Sequence, residues 1–456
     1  MSSRFEKSVY AVGLIALVNI VSQVVAFFYR VALVRFVGAE VMGLYQLVVP
    51  LYSVMMSLTA TGLTVAVSRL TAEYSALGQE SQTVKLVSRA RRLFFIAFFI
   101  MASLTALFSD AISYYILGDT RTRLGLLIML ACVLFTGIEN IYKNYFYGKK
   151  SIAQPAFSEM VEQLARTSAV LFLVWAFPGQ SPERTVALIV LGLVICEIVS
   201  SSVLRIMYRV YCCDKILGRP TSRRSSSTSS RSINASDKTL NRAILDIAIP
   251  VSISAVALNL IGSANAIIIP QRLMASGMAS GDALSQYGIV FGMVLPLIAL
   301  PMACVGALTL VMSPRISESV ARGECDMVTR HVLRSLRATT IIMLPLLTLL
   351  AIFGQPIVNM LFRNTITNTM MILLCICFLL TSYQTVTSSV LNAIGKQKRA
   401  AANVMAAGVL QLVITWYAVA QPHLRLLGVV IAMLCGAVVA LTLNGLDVVK
   451  GLSSRA

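Results

Sequence analysis

Two stretches decide the architecture: PLYSVMMSLTATGLTVAVSR, residues 50–69, and PLIALPMACVGALTLVMSPR, residues 296–315. Each opens on Pro-Leu and runs through a predominantly apolar segment of about 20 residues, enough to cross a hydrocarbon core at a rise of about 1.5 Å per residue. Each closes on arginine, so the Pro-to-Arg interval is 19 residues both from Pro50 to Arg69 and from Pro296 to Arg315. Gly148-Lys149 and Gly395-Lys396 then recur at nearly the same offset. A membrane helix that returns with its neighbours in register predicts two halves of one design.

Working outward, apolar runs of spanning length fall near 9–29, 41–68, 93–116, 124–146, 156–177, 185–208, 243–270, 286–313, 338–361, 367–394, 401–420 and 426–447. The longest polar stretch, 209–242, contains TSRRSSSTSSRS and divides six spans from six. An even number of spans per half gives both halves the same orientation, related by an axis along the membrane normal. The expected fold is an all-α polytopic membrane protein with twelve transmembrane helices in two pseudo-symmetric six-helix lobes around a central cavity. The lobes are residues 1–208 and 243–456, joined by a basic Ser/Arg-rich linker at 209–242.

Composition agrees. Of 456 residues 57% are hydrophobic and only 12% charged, which excludes an ordinary soluble enzyme. The net charge of +19 suggests nucleic acid until its placement is examined. With the N-terminus inside, the outer side holds Arg30, Arg35, Arg121, Arg123, Arg184, Arg272, Arg363 and Arg425, Arg166 lies within a span, and the remaining Lys and Arg fall inside. That asymmetry is the positive-inside pattern of a multi-pass membrane protein with both termini cytoplasmic, and it removes the motive for a nucleic-acid reading. The first apolar run lacks a small-residue cleavage site and is expected to remain as the first span. Nine cysteines, mostly in spans or on the inner side, imply no disulfide framework. Only two histidines are present, so no zinc site or other metal cofactor is expected.

Polar residues inside spans are costly and usually face the bundle interior. The first span carries Asn19, Ser22, Gln23 and Arg30 on one helical face. The fourth carries Thr136, Glu139, Asn140 and Lys143, and the fifth Ser158, Glu162 and Arg166. The seventh has Ser252, Asn259 and Ser263, and the tenth Thr381, Gln384, Thr385, Ser388 and Asn392. Converging stripes imply a wet cavity. Single Ser or Thr residues are equally explained as links between helices, and Glu162 with Arg166 at i, i+4 as a structural pair. Lys143 near the inner boundary is explained by snorkelling. The candidate substrate-binding set is Asn19, Gln23, Arg30, Arg35, Glu139, Asn140, Glu162, Arg166, Asn259, Asn265 and Arg272.

The segment FYRVALVRFVGAEVMGLYQLVVPLYSVMMSLTATGLTVAVSRLTAEYSALG, residues 28–78, resembles the first two helices of the stage V sporulation protein B-like polysaccharide-transport flippase family. IIIPQRL at 267–273, YGIVFGMVLPLIALP at 287–301 and SPRISESVARG at 313–323 look like that family's seventh and eighth helices and following loop. The resemblance implies the multidrug/oligosaccharidyl-lipid/polysaccharide exporter fold and export of undecaprenyl-linked sugars or peptidoglycan precursors. Arg30 and Arg35 fall on the family's basic positions at the outer end of the first helix, and Arg272 on the Arg of its I-I-x-P-x-R-L segment. Asn265 stands where the family often has an acid. The further arginines that related lipid II flippases carry in helix two are absent between Gly43 and Ser68.

A first span with Asn19, Gln23 and Arg30 but no acid favours an anionic cargo, because arginine forks hold phosphate oxygens bidentately. The expected function is therefore a flippase that moves a lipid-linked oligosaccharide or lipid II-like substrate from the inner to the outer leaflet by alternating access. The alternative is a cation-coupled multidrug antiporter on the same fold, kept open by Glu139, Glu162, Glu197 and Asp246. Membrane lipids are the expected surroundings and sodium or protons the candidate coupling ion, and a monomer suffices. An enzyme is not expected, since no metal- or nucleotide-binding motif appears and the outer loops are short.

Overall fold

The computed structural model describes residues 2–217, 237–322, 324–362 and 366–453, and among these it contains helices and turns with no strand. In chain order the helices are α1 (Ser2–Met56), α2 (Gly62–Ala76), α3 (Glu80–Leu107), α4 (Ser109–Ala111), α5 (Arg123–Gly148), α6 (Ala153–Ala176), α7 (Pro182–Leu217), α8 (Asp237–Ala275), α9 (Ser280–Tyr287), α10 (Leu295–Ala299), α11 (Met302–Ala321), α12 (Cys325–Phe362), α13 (Asn368–Ala393), α14 (Gln397–Ala418) and α15 (Leu426–Ser453). π-helical turns at Ser57–Thr61 and Gly288–Val294 join α1 to α2 and α9 to α10. Each lies close to the repeated proline, Pro50 or Pro296. A missing proline N–H leaves a carbonyl free of its ladder bond, and the helix winding adjusts nearby.

Nine helical segments of the described residues are long and apolar enough to cross a membrane. The first two expected spans are fused in α1, which reverses at Gly38 (φ 81°, ψ 175°), a conformation open to glycine and strained for other residues. The expected fifth span is α6, whose Glu159, Glu162 and Arg166 make it too charged for that group of nine. Residues 209–217 continue α7 and 237–242 begin α8, and the Ser/Arg-rich part of the expected linker, 218–236, lies outside the described residues. A large apolar surface is left uncovered, including Ile96, Phe99 and Leu104 on α3 and Ile341, Leu349 and Ile352 on α12. In water such a surface would aggregate; in a bilayer it is the lipid-facing shell of a multi-pass membrane protein.

The helices define two ends. One carries Gly38, Arg35 and Gly277; the other carries Lys149 and Lys396. At the Gly38 end α1 crosses the α9 segment with almost no side chain between the backbones. A Cβ on Gly43 would strike the carbonyl of Leu284, one on Gly288 the carbonyl of Ala39, and one on Gly292 would lie 2.5 Å from the Met42 side chain. Small residues give close helix contact where lipid offers no hydrophobic drive. Gln46 Nε2 donates to the Phe291 carbonyl at 3.2 Å, and Arg35 donates from Nε and Nη2 to the carbonyls of Leu361 and Met360, both at 2.6 Å. These close approaches lie between residues 35 and 46 on α1.

A second seam joins α1 and α2 to α8 along its length. Ser263 Oγ donates to the Pro50 carbonyl at 3.0 Å and Asn259 Nδ2 to Ser57 Oγ at 2.6 Å, and Gly62 faces the Ala248 carbonyl. Both seams join the first half of the chain to the second, one at a single end and one through the bundle.

A charge network in the first half

Three helices assemble the principal polar cluster. Spacings of three and four residues put Thr136, Glu139, Asn140 and Lys143 on one face of α5, Ser158, Glu162 and Arg166 on one face of α6, and Glu197 with Ser200 on α7. Helix α7 packs against both α5 and α6, which brings the three polar faces together. Lys143 Nζ lies 2.9 Å from Glu139 Oε1 and 3.1 Å from Glu162 Oε2, with Glu159 Oε1 at 4.0 Å. Arg166 Nη2 pairs with Glu162 Oε1 and stands 3.9 Å from Glu197 Oε1. Glu139 Oε1 also accepts from Ser158 Oγ at 3.1 Å and from Ser200 Oγ at 2.5 Å.

Glu139 and Glu197 are 1% and 5% exposed, yet Glu139 Oε2, Glu197 Oε2 and Arg166 Nε find no partner among the described residues. Burying charge costs several kcal/mol per ion unless pairing and hydrogen bonds compensate. Three carboxylates, Glu139 and Glu197 buried and Glu162 half-buried, stand against Lys143 and Arg166, which leaves one carboxylate in excess and two acceptor oxygens without a partner among the described residues.

Arg30 sits beside this network. It is half-buried, within electrostatic range of Arg166, Tyr29 and Tyr45, and makes no ion pair or side-chain hydrogen bond among the described residues. An arginine cannot shed its proton, so Arg30 presents a fixed charge with all five donors free, next to Arg166 with its free Nε. Asn140 is half-buried with no side-chain hydrogen bond, Gln23 is exposed, and the Asn19 side chain lies outside the described residues.

The other expected site residues lie elsewhere. Arg35 clasps the end of α12 and is a link between the halves. Arg272 donates from Nε to the Trp416 carbonyl at 2.9 Å and lies 4.3 Å from the Trp416 ring centroid, tying α8 to α14. Asn259 is spent on Ser57, while Asn265 donates to the Ile261 carbonyl at 3.3 Å and accepts from Thr415 at 3.4 Å. Arg35, Arg272 and Asn259 are thus bonded to neighbouring helices, and Asn265 to Thr415 and to its own helix. Two members were missed as site residues. Lys143, read as snorkelling, is buried between two carboxylates; Glu197 was noted only as an acid. Its signal was the pattern Glu197, Ser200, Ser201 inside an otherwise apolar run.

Comparison with known proteins fits this architecture. The chain is 24% identical over 432 residues to stage V sporulation protein B of Bacillus subtilis (strain 168), covering 95% of this chain and 82% of that one. It superposes on an inward-facing multidrug resistance MATE family transporter of the MOP superfamily with a TM-score of 0.75 at 13% identity, covering 97% of this chain and 100% of the other. An outward-facing MATE family transporter structure gives 0.63 at 16% identity, covering 98% and 96%. Residues 9–320 match the family model described as polysaccharide biosynthesis protein. With most of its length inside that match, the chain belongs to the polysaccharide biosynthesis protein family, on the fold of MOP-superfamily transporters.

Proposed function

We propose that this membrane exporter carries a lipid-linked oligosaccharide or peptidoglycan precursor, an undecaprenyl-diphosphate sugar, from the inner to the outer leaflet of a bacterial cytoplasmic membrane. The observation that carries the reading is Arg30: a half-buried, permanently charged group with no ion pair or side-chain hydrogen bond among the described residues, beside Arg166, whose Nε has no partner among them. A diphosphate supplies the negative charge and the several acceptor oxygens that this pair lacks. Gln23 and Asn140, with free amides, are the neighbouring hydrogen-bonding groups.

The lobes are residues 1–208 and 243–456, both termini are cytoplasmic, and the Gly38 end is the outer one. The glycine-mediated crossing of α1 with α9 and the Arg35 clasp then close the outer side. This supports a state in which the headgroup enters sideways from the inner leaflet, its isoprenoid tail remaining in lipid. Rocking about the α8 seam would release the crossing and expose the headgroup outside. An inside-negative potential assists by about 2.3 kcal/mol per charge per 100 mV. The excess carboxylate of the network, centred on Glu139 and Glu197, is the site proposed for a coupling proton or sodium ion. One chain holds all these parts, so a monomer suffices.

A cation-coupled drug antiporter is the second reading, favoured by those same three carboxylates, Glu139, Glu162 and Glu197. Binding separates the two. Protein in nanodiscs is titrated with undecaprenyl-diphosphate sugar and with a lipophilic drug cation, as wild type and Arg30→Ala. Preference for the lipid, weakened at least about tenfold (about 1.4 kcal/mol) by the substitution, supports the flippase. Preference for the cation, indifferent to Arg30, makes the chain an antiporter.

A further inference from the structure

The second half of the chain holds a cavity of about 570 Å³ between α11 and α13, near the Lys396 end, lined by Thr309, Ser313, Gln384, Thr385, Ser388, Ser389 and Asn392. All seven side chains are hydroxyls or amides. Its size falls in the range of small-molecule sites, about 300–1,000 Å³. The lining follows from helical spacing: Gln384, Ser388 and Asn392 step by four along α13, with Thr385 and Ser389 beside them, facing Thr309 and Ser313 one turn apart on α11.

Two features separate this lining from ordinary links between helices. Thr309 and Thr385 donate back to the carbonyls of Gly306 and Thr381, at 2.7 and 2.9 Å. The side chains of Ser313, Gln384, Ser389 and Asn392 make no hydrogen bond among the described residues, so two carboxamides and two hydroxyls stand free around a space. In addition, the wall is braced from behind. Ser388 Oγ accepts from Asn444 Nδ2 at 2.8 Å, Asn444 accepts from Asn403 at 3.1 Å, and Asn403 donates to Asp447, which is held by Arg399 at 2.8 Å. This chain crosses α13, α15 and α14, and Asn444 is fully buried. A wall fixed on one side and unsatisfied on the other is preorganised for a ligand rich in hydroxyls.

We infer that this pocket holds the sugar of the lipid-linked headgroup, a second subsite distinct from the diphosphate site around Arg30. The inference rests on the function proposed above. The absence of charge in the lining makes it a poor site for phosphate or a coupling ion. Neutral donors and acceptors at close spacing match the vicinal hydroxyls and N-acetyl groups of a saccharide. No aromatic ring lines the pocket to stack on a sugar face, so affinity is low for a free sugar. It becomes useful only when the diphosphate tether holds the sugar at high effective concentration.

The test compares three probes on protein in nanodiscs: undecaprenyl diphosphate, undecaprenyl-diphosphate-N-acetylglucosamine, and free N-acetylglucosamine. The variant combines Gln384→Ala, Ser389→Ala and Asn392→Ala, three side chains with no hydrogen bond to lose, so folding is retained. Wild type is expected to bind the sugar-bearing lipid about tenfold more tightly than the bare diphosphate lipid. The triple variant should lose that difference and keep its affinity for the bare lipid, and millimolar free sugar should displace neither. Equal wild-type affinity for the two lipids, a difference that survives the triple variant, or an equal loss for both lipids overturns the sugar pocket and leaves the exporter reading standing. Displacement by free sugar overturns the tether. Failure of wild type to bind either lipid sinks the exporter reading, and this inference with it.

Discussion

Adding one carbon at Gly288 tests whether the α1–α9 crossing is the closure of the Gly38 end. A Cβ there would meet the Ala39 carbonyl and lie 2.7 Å from the Gly43 nitrogen and 3.2 Å from its Cα. All these atoms are backbone, so no rotamer relieves the contact and the two helices must part. Overpacking a close contact costs about 1–3 kcal/mol, and a cost of that size carried only by the crossed state shifts its population by about 5–150-fold. The assay is electron–electron resonance between spin labels at Phe36→Cys and Ser280→Cys, both exposed positions flanking the crossing, in a background lacking the native cysteines. Gly288→Ala should move the distance distribution toward longer values. Gly306→Ala, where a Cβ meets nothing within 4 Å, is the control and should leave it unchanged. An unaltered distribution in Gly288→Ala, with the protein folded, would refute the closure.

Lys143→Met leaves Glu139 buried without its cation, while Glu162 keeps Arg166; a loss of about 3 kcal/mol is expected, read as a lowered Tm in detergent and partly recovered in Lys143→Arg. Arg35→Ala removes two hydrogen bonds to the end of α12 and, being exposed, should cost only about 1 kcal/mol; the same spin-label pair should lengthen as in Gly288→Ala, and a shortened distance would argue against the clasp. Glu197→Gln removes one of the two carboxylates whose buried oxygen has no partner among the described residues. Transport in proteoliposomes should lose its response to an imposed pH or sodium gradient while lipid binding persists, and a retained response would place coupling elsewhere.

Much of this was legible from periodicity. Apolar runs and the Pro50/Pro296 repeat announce a membrane bundle in two halves, and the i, i+4 spacing of Glu162 and Arg166 announces their pairing. Periodicity states which residues share a helix face; it does not state which helix covers that face. Asn259 and Asn265 satisfy the same pattern as Asn140, yet the first two meet Ser57 and Thr415 whereas the Asn140 side chain makes no hydrogen bond among the described residues. Lys143 was misread for the same reason. Its distance along α5 from the boundary suggested a chain reaching for water, but α6 lies across that path with Glu162. The α11–α13 pocket was half visible as a polar stripe on the tenth span; its partners Thr309 and Ser313, two small hydroxyls in an apolar run, gave no signal of their own.

The charges of α6 also bear on how the chain enters the bilayer. Each arginine or acid near the middle of a lone helix adds about 2.5–3.5 kcal/mol to its insertion free energy, and Glu159, Glu162 and Arg166 share one helix of 24 residues. Alone, α6 should be left at the surface by the insertion machinery. Joined to α5 by the tight turn where Lys150 adopts φ 57°, it brings Glu162 against Lys143 before either meets lipid. The α5–α6 hairpin is then the smallest unit that partitions into the membrane, and a glycosylation-acceptor assay on α6 with and without α5 should show insertion only of the pair.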